Sequence, residues 1–127
     1  MKIKTDDIET LVFRPEDESF SSAVKIVHHP SGKEFSCDEF KSQIENRRTA
    51  VKNLVLKLYA EFQVVSAPKY VPFDQIKTIH PNTKREGFIR EIIWHFKDNE
   101  WNYYIESDGK KVSKRYLETD LEKIHNN

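Results

Sequence analysis

Four basic side chains near the end of the sequence are the first candidates for binding chemistry. Lys110 and Lys111 follow a Ser107-Asp108-Gly109 turn, and Lys114 and Arg115 come a few residues later. A cluster of positive charge on a turn and a strand can bind phosphate groups. A solvated turn without a ligand explains the same four residues equally well.

The histidines could supply acid–base or metal chemistry, but their spacing favours neither. His28 and His29 are adjacent, so in a strand they face opposite sides and cannot act together on one substrate. RNA cleavage by two histidines is therefore the weaker alternative. No metal-ligand spacing links the remaining histidines, which are His80, His95 and His125, and the single cysteine adds little. We expect no metal and no other cofactor.

The aromatic residues of the C-terminal region could stack on RNA bases if they were exposed. The set comprises Trp94, Trp101, Tyr103, Tyr104 and Tyr116. At least half of them should instead form the core of a small sheet, and we expect this in particular of Trp94 and Tyr104.

The elements that would position these groups begin with short strands. Ile8 to Arg14 is a predicted strand that ends at Pro15, and Ala23 to His29 alternates apolar and polar residues as a second strand does. Pro30-Ser31-Gly32 is a turn, because proline presets φ and glycine accepts a positive φ. Glu34 to Cys37 then returns, so the second and third strands form a β-hairpin.

A long helix should follow the hairpin. Ser42 and Glu45 form a capping box, which predicts a helix that starts near Gln43 and ends near Gln63. One apolar stripe should pack against the hairpin; it contains Ile44, Val51, Val55, Leu58 and Phe62, flanked by Leu54 and Tyr59. The helix alone does not predict a basic surface, since its cations do not share one face; these are Arg47, Arg48, Lys52 and Lys57.

The remaining chain is interpreted as a connector and a β-meander. Three prolines punctuate residues 66–86 and Gly87 follows them; within this connector we expect one short helical turn from Phe73 to Ile79. Three antiparallel strands and a terminal helix should follow, at Phe88 to Phe96, Trp101 to Glu106, Lys111 to Tyr116 and Leu117 to Ile124. This meander is similar to a small SH3-like barrel. Met1 to Asp7 is expected to be frayed or to form an edge segment.

A specific series of residue types crosses the hairpin, the turn and the helix start. It consists of Ser22-Ala23-Val24-Lys25-Ile26, His28, Pro30-Ser31-Gly32, Cys37, Lys41-Ser42-Gln43, Asn46-Arg47 and Ala50. This series resembles the catalytic domain of bacterial-type class I peptide chain release factors, and the likeness covers roughly residues 8–62. The family usually has arginine in place of Lys41; lysine keeps the charge but loses the planar guanidinium.

The resemblance implies a set of RNA contacts at the hairpin and the helix start. The implied contacts are Lys25, His28, Lys41, Gln43, Asn46 and Arg47. Arg48 joins the candidates because it lies in the first turns of the helix, where the apolar stripe leaves the core. A structural or RNA-contacting role is expected for His28 rather than a catalytic one, and Ser42 is expected to act as the helix cap.

The chain departs from the family in the segment between the first two strands. Release factors have a glycine-rich loop there that ends in Gly-Gly-Gln, enters the peptidyl transferase centre and helps water attack peptidyl-tRNA. This chain has Pro15-Glu16-Asp17-Glu18-Ser19-Phe20-Ser21, without glycine and with three carboxylates. A loop whose backbone must approach RNA needs glycine, and carboxylates are repelled by phosphates. We therefore expect no peptidyl-tRNA hydrolysis and no enzymatic activity.

Composition bounds the class of protein. The 127 residues carry 21 basic and 21 acidic side chains, so RNA binding would require local charge asymmetry. The single Cys37 fits a reducing cytoplasm and should be a small buried side chain. No apolar run reaches the length of a membrane span, and the start of the chain lacks the apolar core of a signal peptide. A bias toward Lys, Asn, Ile, Glu and Asp suits an AT-rich genome and suggests a bacteriophage protein.

The combined prediction is an α+β fold with a release-factor-like sheet and one long packed helix, followed by a small antiparallel β-meander. The units are residues 1–65, a connector at 66–86 and a second unit at 87–127 that packs on the first. The predicted function is non-catalytic binding of tRNA or the ribosome, with a role in translation or tRNA processing. The alternative is a protein-interaction module that modulates a host protein without binding RNA.

Overall fold

The computed structural model describes residues 2–12, 23–62, 64, 66–79 and 84–124. The chain divides into two compact units. The first, called here the helix unit, is Asp6–Glu61, and the second, called here the sheet unit, comprises Met1–Thr5 and Phe62–Asn127. The predicted acidic segment from Pro15 to Ser21 lies outside the described residues, as do His80 and His125.

Nine strands and one α-helix occur in the described ranges, which confirms the predicted α+β class with a long helix and a β-meander. The strands are β1 (Lys2–Lys4), β2 (Ile8–Val12), β3 (Val24–His28), β4 (Lys33–Cys37), β5 (Gln75–Thr78), β6 (Glu86–His95), β7 (Glu100–Ser107), β8 (Lys110–Lys111) and β9 (Leu121–Lys123). The helix, α1, is Gln43–Glu61, and short 3-10 turns cover Thr5–Asp7 and Glu118–Asp120. Within the described part of the chain, α1 and the short turns are too short or too polar to cross a membrane.

The helix unit is a three-stranded antiparallel sheet with α1 on one face. The strand order is β2-β3-β4, and β3 and β4 form the predicted hairpin. α1 packs mainly against β3 and β4, where Val24, Ile26 and His28 face it from alternate positions of β3. The residues buried on α1 are Asn46, Ala50, Val51, Leu54, Val55 and Leu58. Each large apolar side chain in this interface contributes about 1.5–3 kcal/mol.

The helix start follows the capping prediction, whereas the ends of the predicted apolar stripe do not. The backbone N–H of Glu45 donates to Ser42 Oγ at 3.4 Å, and α1 begins at the next residue, Gln43. Ile44 is 50% exposed and Phe62 is 53% exposed. The prediction was wrong at both because the buried face of the first turn is centred on Asn46, and because the helix ends before Phe62.

The sheet unit is an antiparallel sheet with the order β8-β7-β6-β5-β9, and β1 also pairs with β6. β6 and β7 form the predicted long pair, in which Trp94 lies opposite Trp101. β1 is the edge segment that the sequence suggested. Its pairing with β6 places Ile3 in the core with no exposed surface.

A glycine permits the close approach of β6 and β7. A Cβ atom on Gly87 would lie 1.9 Å from the backbone oxygen of Glu106, far inside any real contact distance. Ser107 Oγ donates to the backbone oxygen of Glu86 at 2.7 Å on the same stretch. Only glycine therefore fits at position 87 without moving one of the two strands.

Three predictions in the C-terminal region were wrong. The expected helical turn from Phe73 to Ile79 contains β5, in which Ile76 and Thr78 are buried and Lys77 is exposed. The expected terminal helix is a 3-10 turn followed by β9, because Leu121–Lys123 pairs with β5. The expected third strand is only Lys110–Lys111, after which Tyr116 forms a single bridge to Tyr103. In the first two cases a pairing between distant segments overrides the local pattern.

The aromatic residues proposed for stacking on bases are mostly buried. Trp94, Trp101, Tyr103 and Tyr116 are at most 3% exposed, whereas Tyr104 is only partly buried. The two tryptophan rings meet edge to face with centroids 5.4 Å apart, and Trp101 Nε1 donates to the backbone oxygen of Ser66 at 2.8 Å. The core prediction is confirmed for Trp94 and wrong for Tyr104. The buried rings cannot stack on a base without disrupting the sheet.

Candidate nucleic-acid interface

The loop that leads into α1 is held by the side chain of Asn46. Asn46 Nδ2 donates to the backbone oxygen of Phe40 at 2.8 Å, and Asn46 Oδ1 accepts from the backbone N–H of Phe40 at 2.9 Å. The same oxygen lies 3.3 Å from Cys37 Sγ. Asn46 has no exposed surface, so this side chain anchors the loop instead of contacting RNA directly. The prediction that Cys37 is a small buried side chain is confirmed.

His28 has a structural role at the hairpin turn. His28 is 5% exposed, and its Nδ1 lies 2.7 Å from Ser31 Oγ. The same Ser31 oxygen accepts from the backbone N–H of Lys33 at 3.2 Å. Burial lowers the pKa of His28 from its ordinary value, although the nearby Asp7 acts in the opposite direction. Of the two roles that the sequence left open for this residue, the geometry favours the structural one.

The other described histidines are exposed or partly exposed and stand beside carboxylates. His29 Nε2 lies 3.4 Å from Glu9 Oε2, and His95 Nδ1 lies 3.0 Å from Asp98 Oδ2. The part of the chain that the structure describes contains no group of three or more His, Cys, Asp or Glu residues able to hold a metal ion.

The start of α1 presents a small hollow beside β2. The hollow has a volume of about 150 Å³ and is lined by Thr10, Val12, Val24, Gln43, Ile44 and Arg47. Gln43 and the preceding Lys41 are exposed, whereas Arg47 is partly buried. Burial lowers the pKa of Arg47 from its ordinary value, but a guanidinium remains charged in any case. α1 packs mainly against β3 and β4, and the Thr10 and Val12 end of β2 borders the hollow.

Lys25 lies apart from the other candidates of the helix unit. It occupies the alternate position to Val24 and Ile26 on β3, so it points to the sheet face opposite α1. Lys25 Nζ lies 3.1 Å from Glu34 Oε2 on the neighbouring strand. The implied contact set is therefore divided: Lys41, Gln43 and Arg47 share the helix start, and partly buried Arg48 follows on α1, but Lys25 faces elsewhere.

The four candidate cations of the sheet unit are all exposed. Lys110 and Lys111 form β8, and Lys114 and Arg115 follow outside any strand, just before Tyr116. Lys110, Lys111 and Lys114 line one open basin, whereas Arg115 does not contribute to it. The structure adds Arg85 to that basin. No sequence signal links Arg85 to residues so far along the chain, so only the strand pairing reveals this neighbour.

These features define an α+β protein that consists of the helix unit and the sheet unit. Each of the two units carries a cluster of cations. A family model described as a family of unknown function, DUF6960, matches residues 9–122. The chain belongs to this family.

The chain is also similar to bacterial peptide chain release factors over part of its length. Peptide chain release factor 2 of Exiguobacterium sp. is 29% identical over 115 residues, which are 83% of this chain and 31% of that protein. Peptide chain release factor 1 of Ureaplasma parvum is 55% identical over 42 residues, 33% of this chain and 12% of that protein. Peptide chain release factor 1 of Bacillus subtilis is 41% identical over 49 residues, 39% of this chain and 14% of that protein.

The chain thus spans at most 31% of the length of these relatives. No solved structure matches the chain.

Proposed function

We propose that the protein is a release-factor-like protein that binds tRNA or ribosomal RNA and modulates translation or tRNA processing without hydrolysing peptidyl-tRNA. The observation that carries the proposal is the helix start, where Gln43 and Arg47 line one hollow and the exposed Lys41 precedes them in the chain. The similar proteins are peptide chain release factors, which makes RNA of the translation machinery the proposed partner.

The helix start is suited to bind a phosphate because its backbone is already ordered. Asn46 fixes the preceding loop through Phe40, and Ser42 caps the helix. A preorganised loop loses little conformational entropy on binding. Arg47 can donate two parallel hydrogen bonds to one phosphate, and the exposed Lys41 can add a second positive charge.

The absence of hydrolysis is proposed from the sequence between β2 and β3. The segment from Pro15 to Ser21 contains no glycine and three carboxylates. Purified protein incubated with ribosomes that carry formyl-methionyl-tRNA should release no formyl-methionine above the buffer control. Release that depends on added protein would contradict this part of the proposal.

RNA binding can be tested by crosslinking the tagged protein to RNA in cells and sequencing the bound RNA. The test variant combines Lys41→Ala with Arg47→Ala. The matched control combines Lys52→Ala with Lys57→Ala, which removes the same charge from exposed positions of the same helix. Enrichment of tRNA or ribosomal RNA that is lost only in the test variant is the expected result. Enrichment that both variants retain, or no enrichment in the wild type, would overturn the proposed surface.

A protein-interaction module is the second candidate, and exposed apolar side chains favour it. Val12 and Ile44 are each 50% exposed beside the hollow, and Phe40 is 43% exposed in the anchored loop. The zero net charge agrees with a protein partner. The two candidates differ in salt dependence: binding through phosphates should weaken steeply with salt, whereas binding through apolar side chains should not.

A further inference from the structure

An open basin in the sheet unit brings together cations from two distant parts of the chain. The basin has a volume of about 630 Å³, and its polar lining includes Arg85, Lys110, Lys111, Lys114, Ser107 and Ser113. Asp108 contributes the one carboxylate among the lining residues, so four positive charges face one negative charge. We infer that this basin binds the phosphodiester backbone of an RNA strand.

One buried tyrosine positions two of the four cations. Arg85 Nη1 donates to Tyr116 Oη at 3.1 Å, and Lys114 Nζ lies 5.2 Å from the centroid of the Tyr116 ring. Tyr116 is 3% exposed, and its backbone exchanges two hydrogen bonds with Tyr103, at 2.8 and 2.9 Å. Two like charges are thus held near each other by a rigid residue, which lowers the entropy cost of binding an anion between them.

The backbone at Arg85 and at Lys110 is held by hydrogen bonds and strand pairing. The N–H of Arg85 donates to Thr78 Oγ1 at 2.9 Å, and the N–H of Thr78 donates to the oxygen of Arg85 at 2.9 Å. Lys110 pairs with Ser107 across the β7–β8 turn. Asp108 and Gly109 in that turn have φ values of 53° and 72°, so the turn is tight.

The composition of the basin favours a phosphate backbone over a base or an apolar ligand. Guanidinium, ammonium and hydroxyl groups are the side-chain donors that proteins use most at phosphates. The nearby Tyr103 and Tyr116 rings are buried and cannot stack on a base. The basin is also open to solvent, so a strand can lie across it. Binding should therefore depend on phosphate charge and hardly on base sequence.

The inference deepens the proposed function and rests on it for the nature of the ligand. The test is fluorescence anisotropy of a labelled single-stranded RNA titrated with the whole chain at several salt concentrations. The basin variant combines Lys110→Gln with Lys114→Gln, and the control combines Lys77→Gln with Lys97→Gln, two exposed cations of the same unit outside the basin.

The basin variant should weaken binding about tenfold. It should also make the slope of log K against log salt concentration, called here the salt slope, shallower by about 1.4, because each lost phosphate contact removes about 0.7 for a single strand. Arg85→Gln alone should make the slope shallower by about 0.7. The control should change neither the Kd nor the slope by a measurable amount. An unchanged Kd and slope in the basin variant would overturn the inference.

Parallel titrations separate this inference from the proposed function. Weaker binding in the basin variant, with full binding in the Lys41→Ala, Arg47→Ala variant, supports the basin and overturns the helix-start surface. The reverse pattern overturns the basin and supports the helix start. Inorganic polyphosphate serves as a second probe. If the protein bound polyphosphate but not RNA, RNA would be overturned as the ligand of both the basin and the helix start.

Discussion

The helix unit and the sheet unit differ in how far apart their interacting segments lie in the sequence. In the helix unit, β3, β4 and α1 follow one another, and each packs on its neighbour. In the sheet unit, β6 pairs with β1 from the start of the chain, and β5 pairs with β9 from its end. Local sequence patterns therefore describe the first unit well but miss β5 and β9 of the second unit.

The same difference separates the two cation clusters. The helix-start residues Lys41, Gln43 and Arg47 lie within one loop and one helical turn. The basin joins Arg85 to Lys110 and Lys114 through strand pairing. A helix-start site can be recognised from a short motif, whereas the basin depends on the whole sheet. Variants that affect one unit and leave the other intact would test this separation.

The largest effect is expected from Gly87→Val in the sheet unit. The new side chain would collide with the Glu106 backbone, where even a Cβ lies at 1.9 Å, and should destabilise the unit by about 3 kcal/mol. Both tryptophans of the chain, Trp94 and Trp101, lie in this unit, so their fluorescence during urea unfolding reports on it alone.

Gly109→Asn is the matched control for this prediction. A Cβ at Gly109 meets no atom within 4 Å, and asparagine tolerates its φ of 72°. The control should change the stability by less than about 1 kcal/mol. Equal losses in the two variants would contradict the steric explanation for Gly87.

A loss of about 2 kcal/mol is expected from Asn46→Ala in the helix unit, because the backbone N–H and oxygen of Phe40 lose their partner. Far-ultraviolet circular dichroism during urea unfolding follows α1. Gln43→Ala, at an exposed position of the same helix, should cost less than about 0.5 kcal/mol. If Asn46→Ala lowered the urea midpoint of tryptophan fluorescence as much as that of circular dichroism, the two units would unfold as one. That result would contradict a separate stability for the helix unit.

A smaller loss, about 1 kcal/mol, is expected from Ser42→Ala, because the hydroxyl accepts from the N–H of Glu45 at the helix start. Ser42→Asp should retain the cap and most of the stability. Circular dichroism of the three proteins during thermal unfolding would show the difference. If Ser42→Ala and Ser42→Asp were equally stable relative to the wild type, the cap would not contribute.

The smallest effect is a pH dependence of the helix unit through His28. Burial lowers the pKa of His28 in the folded state below the value of 6.5 expected in the unfolded chain. The unfolded state therefore binds the proton first. The contribution of His28 to stability is complete above pH 6.5 and is lost as the pH falls from 6.5 through the lowered pKa.

The measurement is the urea midpoint of circular dichroism as a function of pH, with His28→Gln beside the wild type. The difference in stability between the two proteins should shrink as the medium becomes more acidic. A difference that stays constant or grows would show that His28 does not titrate as its burial implies.

The predictions from the sequence succeeded where one short segment carries the whole interaction. The Pro30-Ser31-Gly32 turn, the Ser42 cap and the Asp108-Gly109 turn are each fixed by residues a few positions apart. Predictions failed at β5 and β9, because those segments are strands only through pairing with each other and with β6. Their local composition does not distinguish a strand from a helical turn.

The candidate sites divide in the same way. The resemblance to release factors made Lys41, Gln43 and Arg47 candidates, but it grouped them with Asn46, which only the structure shows to be a buried anchor.

The sequence by itself determined the turns, the helix cap, the α+β class and the group of cations at Lys110, Lys111, Lys114 and Arg115. These follow from φ preferences, side-chain hydrogen bonds to nearby backbone and charge, all of which act over a few residues. Tertiary structure alone decided that His28 and Asn46 point inward, that Lys25 faces away from the helix start, and that Arg85 meets Lys114 at Tyr116. Side-chain direction and distant neighbours are set by packing and strand register, which depend on the whole chain at once.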